Sequence, residues 1–166
     1  MAGRVTIKRR ANAAVFQIID SDDEIVAGTW ALTGPPLLLD LLYTVSAVRY
    51  FPLLGQLLPP VELLAPVIGR RTYVAVTRRR MICIRLSWPG NKPGQVVLDV
   101  PVSVARISDG RRGFALDSVR YTGPGASDLG VSTRWQWRSD FEEALAALRA
   151  GGASVELAQR DAIEPV

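Results

Sequence analysis

The feature that most constrains the fold of this chain is a series of short runs in which apolar and polar residues alternate. A period of two is typical of β-strands that bury one face. Glycine, proline and charged residues separate the runs and mark the turns between them. The predicted strands are residues 24–33, 72–77, 81–87, 95–100, 102–108, 114–121 and 131–137. Seven strands predict a mainly β domain, in which the second and third strands form a β-hairpin.

One amphipathic helix follows the last predicted strand. Ser139 and Glu142 have the spacing of a capping box, in which each side chain binds a free backbone N–H at the helix start. Gly151 and Gly152 end the helix, because glycine readily adopts the conformation that follows a helix. The apolar stripe consists of Phe141, Ala144, Leu145 and Leu148. Together with the strands, this helix predicts an α+β domain with a helix covering its core.

Length and composition fit a single domain. The 166 residues are 48% apolar, which is enough for a hydrophobic core and too apolar for a disordered chain. We expect one domain over residues 1–152 and a tail over 153–166. Residues 4–10 fit a short strand or a tail, and residues 11–19 fit a helix or a strand. The N-terminal region lacks the long apolar core of a secretory signal, which predicts a cytoplasmic protein.

An apolar segment, which we call the insert, separates the first two strands at residues 35–68. It contains only three charged residues, Asp40, Arg49 and Glu62. Residues 37–51 are long enough for one helix, and four prolines break the remainder into short pieces. A helix needs about 20 apolar residues to cross a bilayer, so the insert predicts an interfacial or re-entrant element rather than a simple span.

The titratable residues exclude several classes of function. The chain has no histidine, which removes the commonest general base, metal ligand and triad member. Its single cysteine, Cys83, excludes an intrachain disulfide and a cysteine-based zinc site, and its apolar surroundings predict a buried side chain. No paired carboxylates stand at a catalytic spacing. We therefore expect a protein that is not an enzyme, with no catalytic residue, metal or cofactor.

The order of elements resembles the pleckstrin-homology-like (PH-like) superfold. The motif YVAVTRRRMI at residues 73–82, the acidic opening DEIV at 23–26 and the helix at 141–148 are similar to segments of bacterial PH-like and GRAM-like domains. Many bacterial relatives of unknown function also carry an apolar stretch flanked by glycine and proline after the first strand. The resemblance implies a seven-stranded, two-sheet barrel closed by a C-terminal helix, with a helical insert between strands 1 and 2. This superfold serves lipid, peptide and scaffold functions, so it does not fix the function.

Two interpretations of the insert stay open. It either packs as a helical lobe on the barrel or on another copy, or it sits in a membrane surface with its aromatic residues at the interface. In both, its large apolar side chains make the contact. The candidate membrane or partner contacts are Leu37, Leu38, Leu41, Leu42, Tyr43, Tyr50, Phe51, Leu53, Leu54, Leu57 and Leu58.

Arginines flank the second predicted strand and lie close to the insert in sequence. They are either solvated hairpin residues or contacts for anionic lipid or another phosphate, each worth about 1 kcal/mol near an anionic membrane. The candidate anion contacts are Arg70, Arg71, Arg78, Arg79 and Arg80. Trp135 and Trp137, on one face of the last strand, predict core packing beneath the helix; stacking on single-stranded nucleic acid is the disfavoured alternative.

Two hypotheses for the function follow from these residues. In the first, a non-enzymatic PH-like module attaches to a membrane surface or a protein partner through the insert and the adjacent arginines. In the second, the chain is an assembly subunit whose insert is buried in a homo- or hetero-oligomer interface. Nucleic acid is not an expected partner, since a basic pI of about 9.7 only permits it.

Overall fold

The computed structural model describes residues 3–34, 70–87, 91–112, 116–124 and 129–157. The helices are α1 (Arg4–Phe16) and α2 (Arg138–Ala150). The strands are β1 (Ile25–Thr33), β2 (Arg70–Thr77), β3 (Arg80–Leu86), β4 (Pro93–Pro101), β5 (Arg106–Arg112), β6 (Leu116–Thr122), β7 (Leu129–Arg134) and β8 (Ser154–Leu157). Short 3-10 turns cover Val102–Val104 and Trp135–Trp137. The prediction of a mainly β, α+β fold is confirmed.

The described strands form one sheet rather than a closed seven-stranded barrel. Their order is β4-β3-β2-β1-β7-β6-β5-β8, and all pairs are antiparallel except β5 with β8. The sheet has eight strands because the segment after α2, predicted as a tail, adds β8. Ser154 and Val155 pair with the start of β5, and the Ser154 N–H donates to the Ala105 carbonyl at 3.0 Å. Four residues are too few to show a strand period in the sequence.

The predicted hairpin of the second and third strands is confirmed. Val76 pairs with Met81, and the Thr77 hydroxyl oxygen accepts the Arg80 N–H at 2.8 Å across the tight turn. The predicted strand at 102–108 is wrong in its first half. Pro101 ends β4, and the Val102 N–H donates to the Arg79 carbonyl at 2.8 Å, so the chain bends there in a 3-10 turn. Strand β5 also continues to Arg112, four residues beyond the predicted end at 108.

Helix α2 covers one face of the sheet, where most of the apolar side chains meet in the inner core. Phe141, Leu145 and Leu148 are buried against side chains from several strands, including Val74 on β2 and Tyr121 on β6. Burial of each large apolar side chain stabilises the fold by about 1.5–3 kcal/mol. The helix ends at Ala150 and Gly152 has a φ of 91°, which confirms the predicted glycine stop.

The predicted capping box is wrong. Helix α2 begins at Arg138, one residue before the expected cap, and no side chain caps its N-terminus. The Ser139 hydroxyl instead accepts a bond of 3.1 Å from the Arg4 guanidinium on α1. The Ser139 hydroxyl thus bonds to a residue distant in sequence, where the local pattern predicts a bond to the backbone of its own helix.

Helix α1 covers the opposite face of the sheet over a second apolar group, the outer cluster. Ile7, Ala11 and Val15, spaced by four residues, bury one side of the helix. They pack with outward side chains of the first three strands, including Trp30, Tyr73, Ile82 and Ile84. The basic segment 4–10 is therefore neither a strand nor a tail. Strands β2 and β3 are consequently buried on both faces.

The insert lies outside the described residues, and with it the candidate contacts between Leu37 and Leu58. Within the described part of the chain, no helix combines the length and the apolar character that a membrane span requires.

Candidate binding surface at the base of the insert

The insert leaves and re-enters the domain at one place. Strands β1 and β2 pair in antiparallel register, with Thr33 opposite Arg70 and Leu32 opposite Arg71. The next residue, Gly34, donates its N–H to the Gly130 carbonyl on β7 at 3.1 Å. We call Thr33, Gly34, Arg70 and Arg71 the insert base. Because its two sides are neighbouring strands, the described residues that precede and follow 35–69 lie close together.

Threonine side chains fix the backbone of the insert base. The hydroxyls of Thr33 and Thr72 lie 3.1 Å apart, and each donates to the Arg70 carbonyl at 3.2 Å. Thr72 is buried, whereas the side chain of Arg70 is exposed. The domain therefore presents the Arg70 guanidinium to solvent from a rigid backbone, beside the point where the insert begins.

The other predicted anion contacts lie at the opposite end of β2. An eight-residue strand rises about 3.3 Å per residue, so some 23 Å separate its first and last residues. Here Arg78 pairs with Glu24 at 3.1 Å, Arg79 with Asp22 at 2.8 Å and Arg80 with Asp99 at 2.9 Å. The five arginines thus form two separate groups. The arginines at 78–80 form ion pairs with carboxylates of the same domain. The arginines at 70–71 belong to the insert base.

The interpretation of Trp135 and Trp137 as residues of the last strand is wrong. Strand β7 ends at Arg134, and both tryptophans lie in the 3-10 turn that follows. Trp137 is buried in the outer cluster under α1, not in the inner core under α2. The Arg4 guanidinium lies 5.4 Å from its ring centroid, a cation–π distance. Burial of Trp137 confirms the expected core role and removes its face from stacking with nucleic-acid bases.

Charged groups bind α1 to the start of α2. The Asp140 carboxylate is buried and pairs with Arg4 at 2.6 Å and with Lys8 at 3.3 Å. On the same face, the Tyr73 hydroxyl donates to Asn12 Oδ1 at 2.8 Å. Burial, together with the negative charge of Asp140, raises the pKa of Tyr73, so the phenol stays protonated and can donate. These contacts fix the position of α1 on the sheet.

An open cleft of about 680 Å³ lies where β5, β6 and the α2–β8 link meet. Its polar side chains are the guanidinium of Arg106 and the hydroxyls of Ser103, Thr122 and Ser154. Among the described residues that line it there is no carboxylate, thiol or amine to act as a base or nucleophile. The described chain also contains no group of three or more potential metal ligands.

Cys83 has the burial expected from the sequence. It is fully buried in the inner core, and burial raises the pKa of its thiol to about 12. The thiolate is the reactive form, so we expect no reaction with a thiol-specific disulfide reagent at pH 8 until the protein is unfolded in urea. Above pH 9 the thiol loses its proton in the unfolded chain but keeps it in the folded one. The free energy of unfolding should therefore fall as the pH rises from 9 towards 12. Full reaction of the native protein within minutes would contradict this burial.

Comparisons with known proteins do not assign a function to this surface. No protein-family model and no curated protein matches the sequence. Among solved structures, the chain is similar to the hSac2 domain from human phosphoinositide phosphatase Sac2. The TM-score is 0.47 and the identity 8%, with 100% of this chain and 97% of that chain covered. A match at this level is too weak to assign the chain to a fold family or a function.

Proposed function

We propose that this protein is a non-enzymatic, PH-like binding module of the cytoplasm that attaches to an anionic membrane surface through the insert and the insert base. The observation that carries the proposal is that the exposed Arg70 lies where the apolar insert leaves the domain. An apolar segment supplies burial in the lipid, and a basic residue beside it supplies attraction to anionic headgroups. A rigid base favours this role, because it holds the guanidinium beside the segment that enters the surface.

The PH-like part of the proposal rests on element order. Seven strands followed by a helix agree with that superfold, and the strand order from β4 to β5 places β1 between β2 and β7. The helix α1, the strand β8 and the open sheet are departures from the pattern implied by the resemblance. The non-enzymatic part rests on the absence of histidine and on the chemistry of the described cleft.

Charge reversal at the insert base tests the proposal. We expect Arg70→Glu to weaken binding of the full chain to vesicles of phosphatidylcholine with about 30% phosphatidylserine by about tenfold. One basic residue near such a surface contributes about 1 kcal/mol, and reversal adds repulsion. Co-sedimentation over a range of lipid concentrations measures the partition coefficient.

Arg78→Glu is the matched control. It makes the same change in net charge about 23 Å away, in an exposed pair whose loss costs the fold little. That distance exceeds the screening length of about 8 Å at physiological salt, so binding should change less than twofold. If both variants lost the same amount of vesicle binding, the change in net charge alone would explain the loss. That result would contradict a specific role for the insert base. A stable oligomer that shows no vesicle binding would favour the assembly-subunit hypothesis.

A further inference from the structure

The side of α1 that faces away from the sheet combines exposed apolar and basic residues. Val5, Arg9 and Phe16 follow one another at i, i+4 and i+11, which places them on the same side of a helix. Val5 is 81% exposed and Phe16 is 59% exposed, and both Arg9 and Arg10 are exposed. Arg10 lies about 100° further around the helix, next to this side. We call Val5, Arg9, Arg10 and Phe16 the outer face of α1. Val5 and Phe16 lie about 16 Å apart along the helix, so this face carries exposed arginines between one apolar side chain near each end.

The charge of α1 is entirely positive. The helix contains Arg4, Lys8, Arg9 and Arg10 and no acidic residue. Arg4 and Lys8 point towards the domain and neutralise the buried Asp140. Arg9 and Arg10 have no ion-pair partner among the described residues, and their charge is directed to solvent. Two basic residues of α1 thus contact Asp140 inside the domain, and the other two face solvent.

We propose that the outer face of α1 is a second contact with an anionic lipid surface. Two neighbouring arginines, with an exposed apolar side chain towards each end of the helix, fit a bilayer interface, where the guanidinium groups meet headgroups and the apolar groups enter the acyl boundary. The charge complementarity selects anionic over neutral lipid. Phe16 and Val5 favour lipid over a nucleic-acid backbone, which offers phosphate without an apolar layer. The inference shares its partner with the proposed function but rests on residues of a different element.

The contact is compatible with a docked helix. Ile7, Ala11 and Val15 remain buried on the sheet side while Val5 and Phe16 face outwards. Binding therefore requires no undocking of α1, and the link between Arg4 and Asp140 stays formed. The 13-residue helix is about 20 Å long and presents this face along most of its length.

The double variant Arg9→Glu with Arg10→Glu tests the inference on the full chain. We expect binding to vesicles of phosphatidylcholine with phosphatidylserine to fall at least about tenfold, since two favourable charges become repulsive. Both positions are exposed in the middle of α1, where Glu forms helix about as well as Arg, so the variant should keep its circular dichroism spectrum and melting temperature. In a second variant, Phe16→Ser should weaken binding several-fold at constant charge.

The control makes the same charge change on other elements, with Arg106→Glu and Arg149→Glu, two exposed arginines outside α1. An equal loss of binding in this control would overturn the inference. So would unchanged binding of the Arg9 and Arg10 variant while Arg70→Glu weakens it, an outcome that leaves the proposed function intact. Loss in the α1 variant with no effect of Arg70→Glu supports the inference and contradicts the insert base as a contact. Binding of wild type to single-stranded nucleic acid but not to vesicles would overturn both.

Discussion

Gly28→Ala is expected to lower the free energy of unfolding by about 2–4 kcal/mol. A Cβ at residue 28 would lie 2.7 Å from Cζ of Tyr73 and closer still to its hydroxyl oxygen. Tyr73 is fully buried and its hydroxyl is bonded to Asn12 on α1, so the ring has no free space to enter. Overpacking of this kind costs about 1–3 kcal/mol, and loss of the hydrogen bond adds about 1 kcal/mol. Urea unfolding followed by tryptophan fluorescence measures the loss.

Gly94→Ala provides the matched control in the edge strand β4. The nearest atom to its new Cβ is the Arg85 carbonyl oxygen at 3.4 Å, an ordinary contact. We expect a change within about 0.5 kcal/mol. Tyr73→Phe in the Gly28→Ala background removes the closest atom and should restore part of the lost stability. Equal stability of the two alanine variants would show that α1 does not dock over Tyr73 as described.

Two aspartates in the insert, Leu53→Asp with Leu54→Asp, should lower vesicle binding by well over tenfold. A charged side chain costs about 2.5–3.5 kcal/mol at the centre of a bilayer and less at the interface, and two such changes add. The apolar control Leu53→Met with Leu54→Met should bind as wild type does, because it keeps the buried area. The measurement is the same co-sedimentation assay.

The melting temperature of the aspartate variant separates the two hypotheses for the insert. If the insert contacts lipid, the variant should melt like wild type in the absence of vesicles. If it packs on the domain or on another copy, the aspartates should lower the melting temperature or dissociate an oligomer seen by light scattering. The second result would contradict the proposed function.

The strand pattern predicted much of the sheet, because alternation and turn residues are local signals. The hairpin of β2 and β3 and the end of α2 at Gly151 could be read in the same way. The first half of helix α1 was missed, and residues 11–19 stayed open between helix and strand, since the buried stripe consists of Ile7, Ala11 and Val15 among basic residues. The sequence signal for burial of β3 on both faces is the unbroken apolar run Met81–Ile84, but only the docked α1 shows what covers its outward side.

At the candidate site, closeness in sequence did not predict closeness in the folded domain. Arg71 and Arg78 are seven residues apart, yet a strand carries them to opposite ends of one element. The carboxylates that pair with residues 78–80 come from the segment before β1 and from β4, which only the folded sheet brings together. The capping box failed because α2 begins at Arg138, which places Ser139 inside the helix, where its hydroxyl accepts a hydrogen bond from Arg4 on α1. Local patterns predict elements, and tertiary contacts decide how their polar side chains are used.

The central claim is that the insert of the intact protein enters a membrane surface. The variant Leu54→Cys, labelled with an environment-sensitive fluorophore, tests it directly, because buried Cys83 should not react under native conditions. A label at Gln95→Cys, an exposed position of β4, is the control. On vesicles containing phosphatidylserine, we predict a blue shift and protection from aqueous quencher at residue 54 and neither at residue 95. An unchanged spectrum at residue 54 on sedimented, vesicle-bound protein would contradict the claim.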